Sequence, residues 1–135
     1  MQEPKKWIRK YFSTALANMV VSGKQVKVYD SHTPNNDDVL IILSTQTGSN
    51  DREVKCSIDK NRTIEIQVIT RYKGATGSRL LMDDITEEIQ NRITDIQIEN
   101  FTVNDWSVSF PQEFITTSST ETIFRQIINY NINLQ

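Results

Sequence analysis

Between Arg62 and Ile93 the hydrophobic pattern changes its period once, and that change restricts the chain to folds in which a helix is laid on a sheet. Ile64, Ile66, Val68 and Thr70 alternate with Glu65, Gln67, Ile69 and Arg71, the two-residue period of a strand with one buried face. The turn KGATGS follows, and then Leu81, Ile85, Ile89 and Ile93 recur at helical spacing among Asp83, Asp84, Glu87, Glu88 and Arg92. Strand, glycine turn and amphipathic helix form a building unit, with no array of reactive groups attached to it.

The flanking segments extend the pattern. Pro4 suits a first helical turn, where a missing N–H costs nothing. Trp7, Ile8, Tyr11, Phe12, Ala15, Leu16 and Met19 then make a wide apolar stripe, and Gly23 reads as the stop, which predicts a helix from about Pro4 to Ser22. Gln25 to Asp30 reads as a short strand, Ser31 to Asp38 as a loop broken by Pro34, and Val39 to Thr45 as a deeply buried strand. Gln46 to Asn61 has no firm period and is polar and charged. It is expected to form a long mobile loop with at most a hairpin tip at Val54 to Ile58. Trp106, Val108 and Phe110 mark a strand that Pro111 should break, so that Phe114 and Ile115 fall in a loop. Phe124, Ile128, Tyr130, Ile132 and Leu134 share one face of a last strand, opposite Arg125, Asn129, Asn131 and Asn133.

The expected fold is α+β, in the order α-β-β-β-α-β-β, with two helices packed on one face of a mostly antiparallel sheet. With 135 residues, the chain suits one domain spanning 1–135. No apolar run approaches the roughly 18 residues that would cross a bilayer, so no membrane partner is expected. The basic start has no apolar core of a signal peptide. One cysteine excludes an intramolecular disulfide, which fits folding in a reducing cytoplasm.

Catalytic and cofactor chemistry find no footing. A single histidine, His32, cannot supply a metal cluster and reads as a loop residue. Cys56 has only Arg52 and Lys55 nearby to activate it and reads as an incidental thiol. In KGATGS, Lys73 precedes both glycines, the reverse of a phosphate-binding loop. The glycines are expected to supply positive φ, with Ser78 or Thr76 capping the helix. Asp83, Asp84, Glu87 and Glu88 are explained by the helix dipole without a metal. We therefore expect no enzyme, no cofactor and no metal. Fifteen basic and seventeen acidic residues give a net charge of −2, against a nucleic-acid-binding domain. The charges are segregated: Lys5, Lys6, Arg9 and Lys10 crowd the start and acids crowd the second helix, which reads as two solvated helix faces or, more sharply, as opposite patches that meet in an oligomer.

This order of elements resembles the phage tail terminator (tail completion) family. The likeness rests on the first helix, on VKVYDSHTP (Val28, Tyr29, Asp30, Pro34) leading into VLIIL, on the polar excursion, on IEIQVITRY, on the glycine turn and on RLLMDDITEEIQNRI. It spans residues 4 to 134 as a pattern of elements. It implies a virion protein assembled in the host bacterial cytoplasm. Such a protein forms a homohexameric ring that caps the tail tube and meets the neck or connector protein, with genomic DNA passing through the lumen without specific binding. Ring contacts then fall to Arg52, Lys55, Lys60 and Arg62 of the loop, to Asp83, Asp84, Glu87 and Glu88, and to Phe110, Phe114 and Ile115. The alternatives are another neck component (a head-completion or stopper protein), a tail tube subunit, or a small non-catalytic adaptor that binds a peptide along a sheet edge. Two long helices count against the tube subunit.

Overall fold

A computed structural model describes residues 3–30, 37–54 and 57–135, with side chains described throughout except over 51–58. His32, Pro34, Lys55, Cys56 and the side chain of Arg52 therefore lie outside the described residues. The elements are α1 (Lys5–Ala15), β1 (Met19–Val21), β2 (Lys24–Tyr29), β3 (Val39–Val54), β4 (Ser57–Lys73), α2 (Leu80–Arg92), β5 (Val103–Thr117) and β6 (Glu121–Leu134). One six-stranded sheet has the order β1-β2-β3-β4-β6-β5. All its pairs are antiparallel except β2 with β3, which run parallel.

The mixed, mostly antiparallel α+β architecture matches the expectation, with one extra strand and three reassigned segments. The first helix ends at Ala15, not Ser22, because the chain turns at Asn18 (φ 57°) and re-enters as β1. Ser22 and Gly23 carry φ of 51° and 76° and form a two-residue hairpin turn that pairs Val21 with Lys24. Gly23 serves that turn rather than a helix end. Leu16 and Met19 are fully buried, as either assignment requires, so their spacing could not distinguish the two.

Residues 46–54 and 57–61 form the two strands of a hairpin arm rather than a loop. Its ladder continues from Gln46↔Ile64 through Gly48↔Arg62 and Asp51↔Asp59 to Val54↔Ser57, after a bulge past Leu43. A ladder needs only backbone groups, so side chains on an arm that extends beyond the core need not alternate. Pro111 likewise fails to end its strand. It lies at the irregularity between Ser109 and Gln112 on edge strand β5, where proline's missing donor is tolerated. Phe114 and Ile115 thus belong to β5, which runs on to Thr117.

Two apolar clusters lie on opposite faces of the sheet. The main one joins Ile41, Leu43, Ile64, Ile66, Val68, Ile128, Tyr130 and Ile132 to Ile8 and Phe12 of α1 and to Met82, Ile85 and Ile89 of α2. Full burial of each such aliphatic side chain contributes about 1.5–3 kcal/mol. The second cluster, from the alternate positions Leu40, Ile42 and Ile69 with Tyr29 and Ile123 against them, contains no helix residue. Before α2, Gly74 (φ 66°) and Gly77 (φ 114°) supply the positive φ expected of the turn. The Thr76 hydroxyl, however, donates to the Lys73 carbonyl, and the Leu80 N–H reaches Ser78 Oγ at 3.4 Å.

Tyr130 has the most consequential phenol of the core. Its ring lies 5.2 Å from Phe12 and 6.1 Å from Trp106, and the residue is 1% exposed. Burial first, and nearby Tyr11 second, push its pKa from 10.0 up to about 12. A raised phenol pKa contributes stability that is complete below pH 10 and lost as pH rises through about 12. Denaturant melts from pH 8 upward should therefore show the wild type weakening within that window, and Tyr130→Phe should flatten most of the slope. An unchanged slope in Tyr130→Phe would contradict this account.

Candidate assembly surfaces

Two of the basic residues expected to reach a neighbour are held inside the molecule. Arg62 is 5% exposed. Its Nε and Nη2 donate to the two carboxylate oxygens of Glu3 at 3.0 Å each, a bidentate pair. Nη1 donates to the Ser49 and Asn61 carbonyls at 3.0 and 2.9 Å, and Nη2 also reaches Asn50 Oδ1 at 3.0 Å. Arg62 therefore pins the N-terminal segment to the base of the arm. Opposite it, Gly48 has no side chain, and a Cβ there would fall on the Asn61 carbonyl and Arg62 Cδ. Lys60 is 8% exposed, with Nζ 5.6 Å from the Phe101 ring centroid.

The basic start of the chain is also largely engaged. Lys10 pairs with Glu99 at 2.9 Å, Lys6 and Lys10 sit over the Trp7 ring at 4.7 and 5.4 Å, and Arg9 donates to the Leu43 carbonyl at 3.1 Å. Of the second-helix acids, half-buried Glu88 pairs with Arg92 at 3.0 Å. Arg92 in turn donates to the carbonyls of Ala15 and Ala17, which ties the end of α1 to α2. Asp83, Asp84 and Glu87 are exposed and have no ion pair among the described residues.

Phe110, Phe114 and Ile115 are 44%, 40% and 44% exposed, but Phe114 and Ile115 do not share a face. Register places Phe114 beside Arg125 and Ile115 beside Phe124, so the two project from opposite faces of β5. Leu80 at 71% and Val20 at 63% are more exposed than any of them and lie outside the apolar stripes of the sequence, one residue before Leu81 and one after Met19. Along β5 most residues are exposed, and one edge of the strand is unpaired among the described residues. A bare edge of this length is a site that natural proteins cover or pair.

Arg71 and Arg125 also escaped the sequence reading, which placed them on polar strand faces. Each has a buried Nε without a hydrogen-bond partner among the described residues. Against α1, Trp7, Tyr11, Ala15 and Gln97 line a shallow pocket of about 260 Å³ bordered by the Lys10–Glu99 pair. No group of three potential metal ligands occurs among the described residues.

No protein-family model matches the chain, and no curated protein matches it in sequence. Among solved structures, it is similar to a chain of the virion of a native gene transfer agent particle. The TM-score is 0.66 at 10% identity, over 98% of this chain and 99% of that one. At that identity the likeness is one of fold, and it extends from end to end.

Proposed function

We propose that the protein is a structural component of a phage-like virion, and specifically a ring-forming tail terminator. The observation that carries this reading is the end-to-end match to a virion chain, which leaves almost no residue of either partner outside the common fold. The surfaces agree with it. An unpaired edge strand, scattered exposed apolar side chains and unpaired acids are tolerable in a protein that spends its working life among copies of itself. Contacts between two different patches close into a ring when the rotation between subunits permits.

In this reading a homohexamer caps the tail tube, contacts tube protein on one side and the neck on the other, and lets DNA pass without specific binding. The net charge of −2 supports that passive role. Assembly takes place in the host cytoplasm. The test is the particle mass by light scattering over a concentration series, with negative-stain images of the same sample. Closed rings with a central hole support the reading, and particles that grow into open filaments contradict a terminator.

A tail tube subunit is the second reading, and one observation favours it. The two-helix objection weakens because α1 spans 11 residues, while the β3–β4 arm is longer than a turn requires. Filaments in the same images would select it.

A further inference from the structure

We infer that the sheet face bearing Arg71 and Arg125 receives the acidic side of α2 from a second copy of this chain, an inference that rests on the ring reading. Pairing of Ile69 with Arg125 and Arg71 with Ile123 makes the two arginines diagonal neighbours on one face. Such positions lie roughly 7–8 Å apart. Both Nε atoms are buried and have no partner among the described residues, although buried guanidinium donors in folded proteins are normally satisfied. Beside them a pocket of about 310 Å³ is lined by Phe114, Thr116, Ile123 and Arg125. The surface thus offers two part-exposed guanidinium groups, each with an unsatisfied Nε, beside the apolar side chains of Phe114 and Ile123.

The complement is present on every copy. Asp83 and Glu87, four residues apart on α2, share one helix face about 5–6 Å apart. Both are exposed and lack an ion pair among the described residues. Because the buried side of α2 joins the main cluster while Arg71 and Arg125 belong to the opposite sheet face, no copy can satisfy its own arginines with its own α2. The contact is therefore heterologous, the type that generates rings. The apolar setting of the arginines favours a carboxylate carried on an amphipathic helix over a solvated phosphate backbone. This contact also replaces the N-terminal lysines as the basic partner, since Lys10 and Arg9 are engaged within the chain.

Charge exchange tests it. Arg71→Glu/Arg125→Glu and Asp83→Arg/Glu87→Arg are each measured alone and as an equimolar mixture, by light scattering at low ionic strength beside the wild type. Each variant alone should associate at least about tenfold more weakly, and the mixture should recover wild-type mass, because every contact in an alternating ring is then complementary. Recovery without rings in the images would uphold the contact and count against the terminator. Rings formed equally well by the wild type and by both variants would remove the contact and leave the virion reading standing. A mixture that stays dissociated, or a wild type monomeric at every concentration, also overturns the contact. Should the arginine variant fail to fold, Asp83→Arg/Glu87→Arg on the exposed helix face decides alone: association equal to wild type overturns the inference.

Discussion

Arg62→Ala is expected to lower the stability of the protein by about 3 kcal/mol, a large share of what a domain of this size possesses. The guanidinium is 5% exposed and its donors are taken by Glu3, Ser49, Asn50 and Asn61. Its removal strands the Ser49 carbonyl beside the arm and releases the segment before α1 together. The Glu3 half of the pair is largely exposed, so most of the loss comes from the arm side. Hydrogen bonding from Arg62 holds the Glu3 carboxyl below its usual 4.5. A depressed carboxyl pKa contributes stability above 4.5 that is lost as pH falls through the lowered value. The wild type should accordingly lose stability on acidification below that point, and Arg62→Ala should lose less over the same interval. Urea melts at pH 7 and in the acid range check both parts. A variant as stable as the wild type would mean that the arm stands without its clamp.

Gly77→Ala is expected to cost about 2–4 kcal/mol, from two causes that act together. Its φ of 114° lies where L-residues are strained, worth about 1–3 kcal/mol. A Cβ there would also press into the Tyr72 ring. That ring cannot yield cheaply, because it packs edge-on against Phe124 at 5.7 Å and its hydroxyl donates to the Ser78 carbonyl at 3.2 Å. Gly74→Ala is the control: it shares a positive φ of 66° but has open space around it, so only the backbone part of the penalty applies. Thermal melts should rank wild type above Gly74→Ala and Gly74→Ala above Gly77→Ala. Equal losses in the two variants would show that the Tyr72 contact carries nothing.

The elements that were legible in the sequence are those whose side chains sort into buried and exposed faces. β4, α2 and β6 show their periods because each lays one side on the main cluster. The arm was opaque because beyond Gln46 it is held by backbone pairing and by Arg62, neither of which leaves an alternation of apolar residues. β1 was hidden because Leu16 and Met19 are core residues at helical spacing, and only the Ser22–Gly23 turn betrays the hairpin. Pro111 misled because its effect depends on whether a strand lies at an edge, which is a property of topology.

Among the residues proposed for assembly, exposure was legible for the acids and not for the cations. The acids of α2 announce themselves by composition, and Asp83, Asp84 and Glu87 are indeed exposed. The cations were assigned by proximity in the chain, which carries no information on burial, and Lys60 and Arg62 are 8% and 5% exposed. Arg71 and Arg125 become a pair only through the β4–β6 register, which brings together residues far apart in sequence.

The central claim, a terminator at the junction of tail and head, is tested most directly by locating the chain on assembled particles. Particles produced by cells expressing an epitope-tagged copy would be decorated with gold-labelled antibody and imaged. The account predicts gold at a single position, the head-proximal end of each tail. Gold distributed along the whole tail, or particles that assemble intact without the chain, would contradict it.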